Sequence, residues 1–346
     1  MDVRFSAEQH ALRDSAARLV AQLGPHTVAD IGDPERAAKL DAAVAASGWR
    51  ELRAAALGGT PTASGVEAAI VAEELGRGLA DVSFFGPVMA GELRRLAGAP
   101  PGPAVETVAL AADLSSLACV ADGWMPPAVA VDVQGSSTAL LLADGSDGRL
   151  LAGTVLPPVQ AGVDLTRPAT ALDAASAVAT VETADRPITT DGMTRWTALG
   201  LSLACADLVG TMEGAVQLAT GYAAERRQYG AAIGSFQAVQ HLLADAYVQT
   251  EGARSVTLHA AWAVDELAPA DALAAAAVAK AYCARAARQV CETAIQVHGG
   301  IGNTWECLAH LYLRRALLSS DLLGDAGASL ELVLGHHGIG SGDGLP

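Results

Sequence analysis

Aromatic residues make up only 4% of the 346-residue sequence, and basic residues are scarce: 22 Lys and Arg stand against 38 Asp and Glu, a formal net charge of −16. That shortage of positive charge argues against nucleic-acid binding, because phosphate contacts need a basic surface. An anionic small molecule held by a few local arginines stays open. No CxxC pair occurs among Cys119, Cys205, Cys283, Cys291 and Cys307. Their odd number suits a reducing compartment, and buried small side chains are expected rather than a metal site. No stretch reaches the roughly 20 strongly apolar residues of a membrane helix. The chain opens with Asp2, Arg4 and Glu8 ahead of any apolar run, unlike a signal peptide, so a cytoplasmic protein with no membrane span is expected. The run Gly338-Ile-Gly-Ser-Gly342 lacks the strand–turn–helix context of a serine nucleophile, and no carboxylate or cysteine at ligand spacing joins His336 and His337.

What the sequence does have is small apolar side chains: 51% of residues are hydrophobic, much of it alanine, and 17% are charged. This density suits closely packed helices, and the length allows two or three domains. The expected class is α+β, mainly α, in three zones and a tail. Residues 1–102 read as an N-terminal helical domain. There Ser6 and Gln9 form a capping box before Leu12, Leu19 and Leu23, a second helix runs from Asp33 to Ser47, and Val66–Leu79 is helical again. Pro100, Pro101 and Pro103 then punctuate the chain. Residues 103–195 read as a small middle β-domain, with antiparallel strands at Thr107–Ala112, Ala128–Val133 and Ala139–Ala143 and a turn at Asp144–Gly148. Residues 196–335 read as a four-helix bundle broken near Tyr229–Gly234, Ala268–Asp271 and His298–Asn303. Its first helix buries one face through Leu208, Met212, Ala215, Ala219 and Tyr222; its second does so through Val239, Leu243, Ala246, Ala253, Ala260 and Val264. Residues 336–346 are expected to be a flexible tail.

Two blocks carry chemical information. In Ala224-Glu-Arg-Arg-Gln-Tyr-Gly230 and the following FQAVQ, Arg226 stands at a helix end beside a glycine-permitted turn. It suits a phosphate or carboxylate, or simply complements the helix dipole. In Gln296-Val-His-Gly-Gly-Ile-Gly302 a glycine run between helices offers bare amides that favour phosphate. Alone, it is also compatible with an ordinary helix–helix turn, and His298 with a packed or capping residue.

Together, "AERRQYG…FQAVQ" and "QVHGGIGNTWE…HLYLRR" in an all-helical C-terminal half resemble the acyl-CoA dehydrogenase family. "FSAEQHALRDSAARLV" and "VAEELGRGLADVSFFGPVMA" resemble its N-terminal segments, so the likeness runs end to end. It implies an N-terminal helical domain, a middle β-domain and a C-terminal four-helix bundle, with FAD lying between subunits. It places Arg226 and Gln237 at the pyrophosphate of a neighbour's flavin, and Gln296, Val297, His298, Gly299 and Gly300 in the backbone loop that completes that site.

The family reaction removes an α-proton from an acyl-CoA with a glutamate and passes the β-hydride to flavin. The family positions for that glutamate correspond here to Leu323, on the loop after the last bundle helix, and to Gly200 in "TALGLSLA". Neither abstracts a proton. Asp321, two residues away, is a weak substitute; Glu213 and Glu225 read as solvated or paired helix residues. The flavin-covering Thr-Glu-Pro-Gly-Ala-Gly-Ser-like loop has no clear counterpart beyond a remnant at Asp113, Ser115 and Ser116. Kept adenine-side contacts and lost chemical-side contacts resemble the shortened chain of heteromeric acyl-CoA dehydrogenases in actinobacterial steroid breakdown. That implies a full-length partner subunit, an α2β2 assembly, shared FAD and an acyl-CoA substrate. A self-sufficient enzyme using Asp321 and a flavin-free scaffold or CoA-thioester binder stand as alternatives.

Overall fold

The computed structural model describes residues 4–56, 59–102, 104–120, 126–143, 148–156, 162–172, 178–183 and 187–339. The helix starts follow local capping chemistry. At α1 (Ala7–Leu23) the Ser6 hydroxyl accepts from the Gln9 N–H at 3.2 Å, and the Gln9 side chain accepts from the Ser6 N–H at 3.0 Å. Asp33 caps α2 (Pro34–Ala46), which has proline at its first position. Ser64 and Glu67 form a second capping box at α3 (Gly65–Arg77), and α4 (Phe85–Ala97) stops at Gly98.

The middle zone is a single sheet of β1 (Glu106–Ala111), β2 (Cys119–Val120), β3 (Ala128–Ala130), β4 (Thr138–Ala143), β5 (Leu150–Thr154), β6 (Thr170–Leu172) and β7 (Val178–Thr180). Its order is β6-β3-β1-β4-β5-β7, with β2 also paired to β4. The expectation of purely antiparallel pairing is corrected here, since β1 and β2 both run parallel to β4. Hydrophobic alternation reports which face is buried, not which way a neighbouring strand runs. Pro103 and most of the expected turn at Asp144–Gly148 lie outside the described residues. A separate small core of Ala109, Ala130, Ala139, Leu141 and Leu172 covers the sheet face opposite to the one that Val108, Leu110 and Leu140 turn to the helical core.

The bundle begins at α5 (Thr190–Glu225), six residues before Trp196, because the Thr189 hydroxyl accepts from the Gly192 N–H and starts the helix there. From Ala198 to Met212 every residue of α5 is buried, so it is the axis of the fold rather than a helix with one apolar face. Its most apolar window has a mean hydropathy of 1.3 and is 89% buried within the protein. A helix apolar and long enough to cross a membrane therefore exists, against the sequence expectation, but other helices surround it. A Cβ on Gly210 would overlap the Glu73 carbonyl oxygen and lie 2.7 Å from the Arg77 nitrogen, so α3 crosses α5 at backbone contact.

After a hairpin of β8 (Arg227–Gln228) and β9 (Ala231–Ala232) come α6 (Gln237–Glu266), α7 (Pro269–His298), α8 (Ala309–Asp321) and α9 (Ala326–His336). Ser320 and Asp321 close α8, and Leu322–Gly324 turn the chain toward α9. His336 still belongs to α9, and residues 340–346 of the expected tail lie outside the described residues.

A buried ionic network joins the three zones. Asp207 of α5 accepts from Arg315 of α8 at 2.9 and 2.6 Å and from the Ser319 hydroxyl at 2.6 Å. Arg167, ahead of β6, pairs with Asp164 at 2.8 Å and donates to Ser319 at 2.7 Å, while Arg315 also donates to the Ala80 carbonyl at 2.9 Å. Burial opposes ionisation of Asp207, but the two guanidinium groups outweigh it and hold its carboxyl below the usual range.

Candidate functional site

The first cluster is built where α5 ends. Arg226 leaves helical backbone while its N–H still bonds the Tyr222 carbonyl at 2.8 Å, and its own carbonyl accepts from the Ile233 N–H at 2.8 Å. Between them Tyr229 and Gly230 both take positive φ, 53° and 81°, as a two-residue hairpin turn of this hand requires. Tyr229 is left 94% exposed at its tip.

Across from this hairpin, α7 closes at His298 and Gly299 reverses the chain at φ 66°, ψ −142°, a conformation that glycine alone adopts readily. A built Cβ on Gly300 meets nothing within 4 Å. The hairpin, the start of α6 and this turn enclose an open groove of about 500 Å³. Arg226, Gln296, Val297, His298, Gly299 and Gly300 all line it. Of the expected cofactor residues only Gln237 does not, although Phe236 and Val239 on either side of it do. Gln237 is the first residue of α6 and is exposed.

The Arg226 side chain is exposed and has no ion-pair partner among the described residues, so its fork of donors is available. Gly299 and Gly300 line the groove at the end of α7, the Gly299 N–H being taken up by the Gln296 and Ile295 carbonyls. Tyr222 stacks on His298 with ring centroids 4.5 Å apart and 25° between planes, forming an aromatic wall beside Val297. Sequence reading assigned Tyr222 to the buried stripe of α5; its place in this wall was not legible, because it depends on where α7 ends.

The second cluster holds Leu323 and Gly200, the two positions that the resemblance assigns to the family base. Leu323 is buried, takes φ 59°, and donates its N–H to the Leu114 carbonyl at 2.8 Å. Gly200 is buried in α5, and a Cβ there would overlap Leu323 Cδ1 and come within 2.9 Å of Met89 Cε. The two positions therefore meet, and the space between them is filled by leucine and methionine. Leu114 belongs to the Asp113–Ser116 segment, whose polar groups are turned on each other: Asp113 accepts from the Ser115 N–H at 3.0 Å and its hydroxyl at 2.7 Å. Asp321 is exposed at the end of α8 while Leu322 and Leu323 turn inward. Partial shielding of its carboxyl by the protein raises its pKa against the pull of Lys280, with Asp325 adding to the rise.

Known proteins agree with this architecture. Residues 200–333 match the family described as "Acyl-CoA dehydrogenase, C-terminal domain". The chain is 32% identical over 331 residues to the acyl-CoA dehydrogenase IpdE2 of Mycobacterium tuberculosis, covering 91% of this chain and 93% of that protein. Among solved structures it superposes on a chain of the Tcur3481-Tcur3483 steroid ACAD with a TM-score of 0.80 at 22% identity, covering 96% of this chain and 98% of that one. It superposes on a chain of the ChsE4-ChsE5 complex from Mycobacterium tuberculosis with a TM-score of 0.77 at 24% identity, covering 98% and 99%. The fold is that of the flavoprotein dehydrogenases. The chain belongs to the acyl-CoA dehydrogenase family.

Proposed function

We propose that this chain is the non-catalytic subunit of a FAD-dependent acyl-CoA dehydrogenase, completing with its groove the flavin site of a full-length partner in an α2β2 heterotetramer. The observation that carries the reading is the packing of Leu323 on Gly200 and Met89, which leaves an apolar contact at both family base positions. A general base needs a carboxylate within hydrogen-bond reach of the α-proton, and Asp321 faces solvent instead.

FAD, when bound, supplies the hydride acceptor for α,β-dehydrogenation of the acyl-CoA. The residues of this chain bind and orient its diphosphate arm. Arg226 presents a bidentate donor to the phosphates, and the backbone at Gly299 and Gly300 lets them approach without side chains in the way. Gln237 lies in the chain between the lining residues Phe236 and Val239, and Gln296, Val297 and His298 form the opposing wall. The partner supplies the carboxylate and the cover of the flavin ring. Support for a partner comes from the ChsE4-ChsE5 and Tcur3481-Tcur3483 likenesses, both chains of two-component assemblies. The second of these names a steroid enzyme, which favours a bulky, ring-bearing acyl-CoA. No disulfide joins the cysteines among the described residues, which favours the cytoplasm.

Arg226→Ala tests the groove. In the complex co-expressed with its full-length partner, the variant is expected to lose flavin on gel filtration while the isolated chain keeps its wild-type melting temperature. Wild-type flavin occupancy in that complex would remove Arg226 from the site.

A further inference from the structure

Lys280 of α7 is fully buried, and among the described residues no carboxylate pairs with it. A buried ammonium without an ion partner is costly and needs other compensation. Its Nζ donates to the Ser319 carbonyl at 2.9 Å and to the Leu322 carbonyl at 2.5 Å, both at the C-terminal end of α8, where a helix favours a cation. The Ser319 carbonyl is open to the lysine because of what happens four residues on. In a continuing helix it would accept the Leu323 N–H; that N–H instead donates to the Leu114 carbonyl at 2.8 Å. Leu114 and Leu323 both hold left-handed backbone, at φ 61° and 59°, a conformation that disfavours leucine and persists only where the surroundings enforce it. Lys280 thus supplies the donor that α8 forgoes when Leu323 turns into its contact with Gly200, beside Met89.

We infer that Lys280 is a positioning residue, the latch of that contact: by occupying the Ser319 and Leu322 carbonyls it stops α8 from winding on, and so keeps the Leu323 N–H on Leu114 and the Leu323 side chain against Gly200. The latch rests on the reading of this contact as a closed base position, and adds what holds it closed. Without the ammonium the Ser319 carbonyl is left buried and unpaired, a penalty that recapture of the Leu323 N–H removes. α8 then lengthens, Leu323 leaves left-handed backbone, and its side chain swings away from Gly200. The titratable groups acting on Lys280 are Cys205 of α5, Cys283 of α7, Asp321 at the end of α8 and Asp325 ahead of α9. All four favour its charge, but burial outweighs them and brings its pKa down to about 8. The neutral amine keeps two donors and loses the charge that strengthens both bonds.

Trp196 is a built-in reporter of this contact, since its buried indole N–H donates to the Met89 carbonyl at 3.0 Å. Heteronuclear NMR of the full-length chain follows that indole signal, assigned with Trp196→Phe, and reads the acceptor of the Leu323 N–H from the scalar coupling across its hydrogen bond. The wild type is expected to show coupling to the Leu114 carbonyl carbon. In Lys280→Met that coupling is expected to be lost and replaced by coupling to the Ser319 carbonyl carbon, with a shifted Trp196 indole. A general loss of stability would not exchange the acceptor of one amide. A pH titration of the wild type needs no substitution and serves if the variant does not fold: the Leu323 amide and the Trp196 indole are expected to shift with a midpoint of about 8, and a folded Lys280→Met is expected to lack that step. A folded Lys280→Met that keeps the Leu323–Leu114 coupling, or a wild type without the step, overturns the latch. One FAD per chain in the isolated protein would remove the closed-site reading while the NMR result stands. One FAD per heterodimer, with Leu323 unmoved in Lys280→Met, would remove the latch alone.

Discussion

Leu323 adopts a left-handed backbone that costs a leucine roughly 1–2 kcal/mol, and its bond to Leu114 with its packing on Gly200 and Met89 offset that cost. A carboxylate placed there would be buried among apolar groups without a partner. Leu323→Glu is therefore expected to lower stability by about 2–4 kcal/mol in denaturant unfolding, and the variant chain alone is expected to show no acyl-CoA dehydrogenase turnover. Turnover by the variant alone would mean that the missing glutamate was the sole defect. Glu73 gives a second residue-level expectation. Arg254 of α6 bridges it at 2.5 Å and Glu213 of α5 at 2.6 Å, and burial pushes Glu73 up to about 7 despite that arginine, with Glu213 and Glu74 adding to the rise. Between the ordinary glutamate value of 4.5 and about 7, the folded state holds a proton that the unfolded state has lost, so stability falls as pH rises through that window. Glu73→Gln removes the ionisable group. It is expected to raise the melting temperature at pH 8 and leave it nearly unchanged at pH 4, and the opposite ordering would contradict this account of Glu73.

Among the elements, those whose ends are set by local chemistry were legible in the sequence. Ser6 with Gln9, Asp33 before Pro34, and Gly48 after Ser47 name their helix boundaries through short-range hydrogen bonds. The parallel pairing of β1 and β2 with β4 was not legible, because it depends on residues some 20 to 30 positions apart. The lone Asp207 in the apolar run of α5 was a usable signal, since a buried charge needs a partner, but nothing local says that Arg315 and Arg167 supply it. The α3–α5 crossing is equally long-range and can be tested at its closest point. Gly210→Ala pushes a methyl into the Glu73 carbonyl, and overpacking of this kind is expected to cost about 1–3 kcal/mol by chemical denaturation. A neutral result would mean that the two helices can move apart freely.

For the whole molecule, the motifs Ala224–Gly230 and Gln296–Gly302 fixed one wall each of the groove, and the fold brings the two walls together. Gln237 was assigned by resemblance and does not line the groove, although Phe236 and Val239 on either side of it do. The vacancy of each base position was readable at Leu323 and Gly200 separately. Their contact was not, since α5 and the α8–α9 turn meet only through the three-zone packing that the Asp207 network holds. The proposed diphosphate groove and the apolar contact of Leu323 with Gly200 on one chain are the basis for reading it as half of a shared site. Flavin content per chain, by absorbance and native mass spectrometry, measures this directly for the protein alone and for its complex with a full-length homologue. The expected result is no flavin alone and one FAD per heterodimer in the complex; one FAD per chain in the protein alone would contradict it.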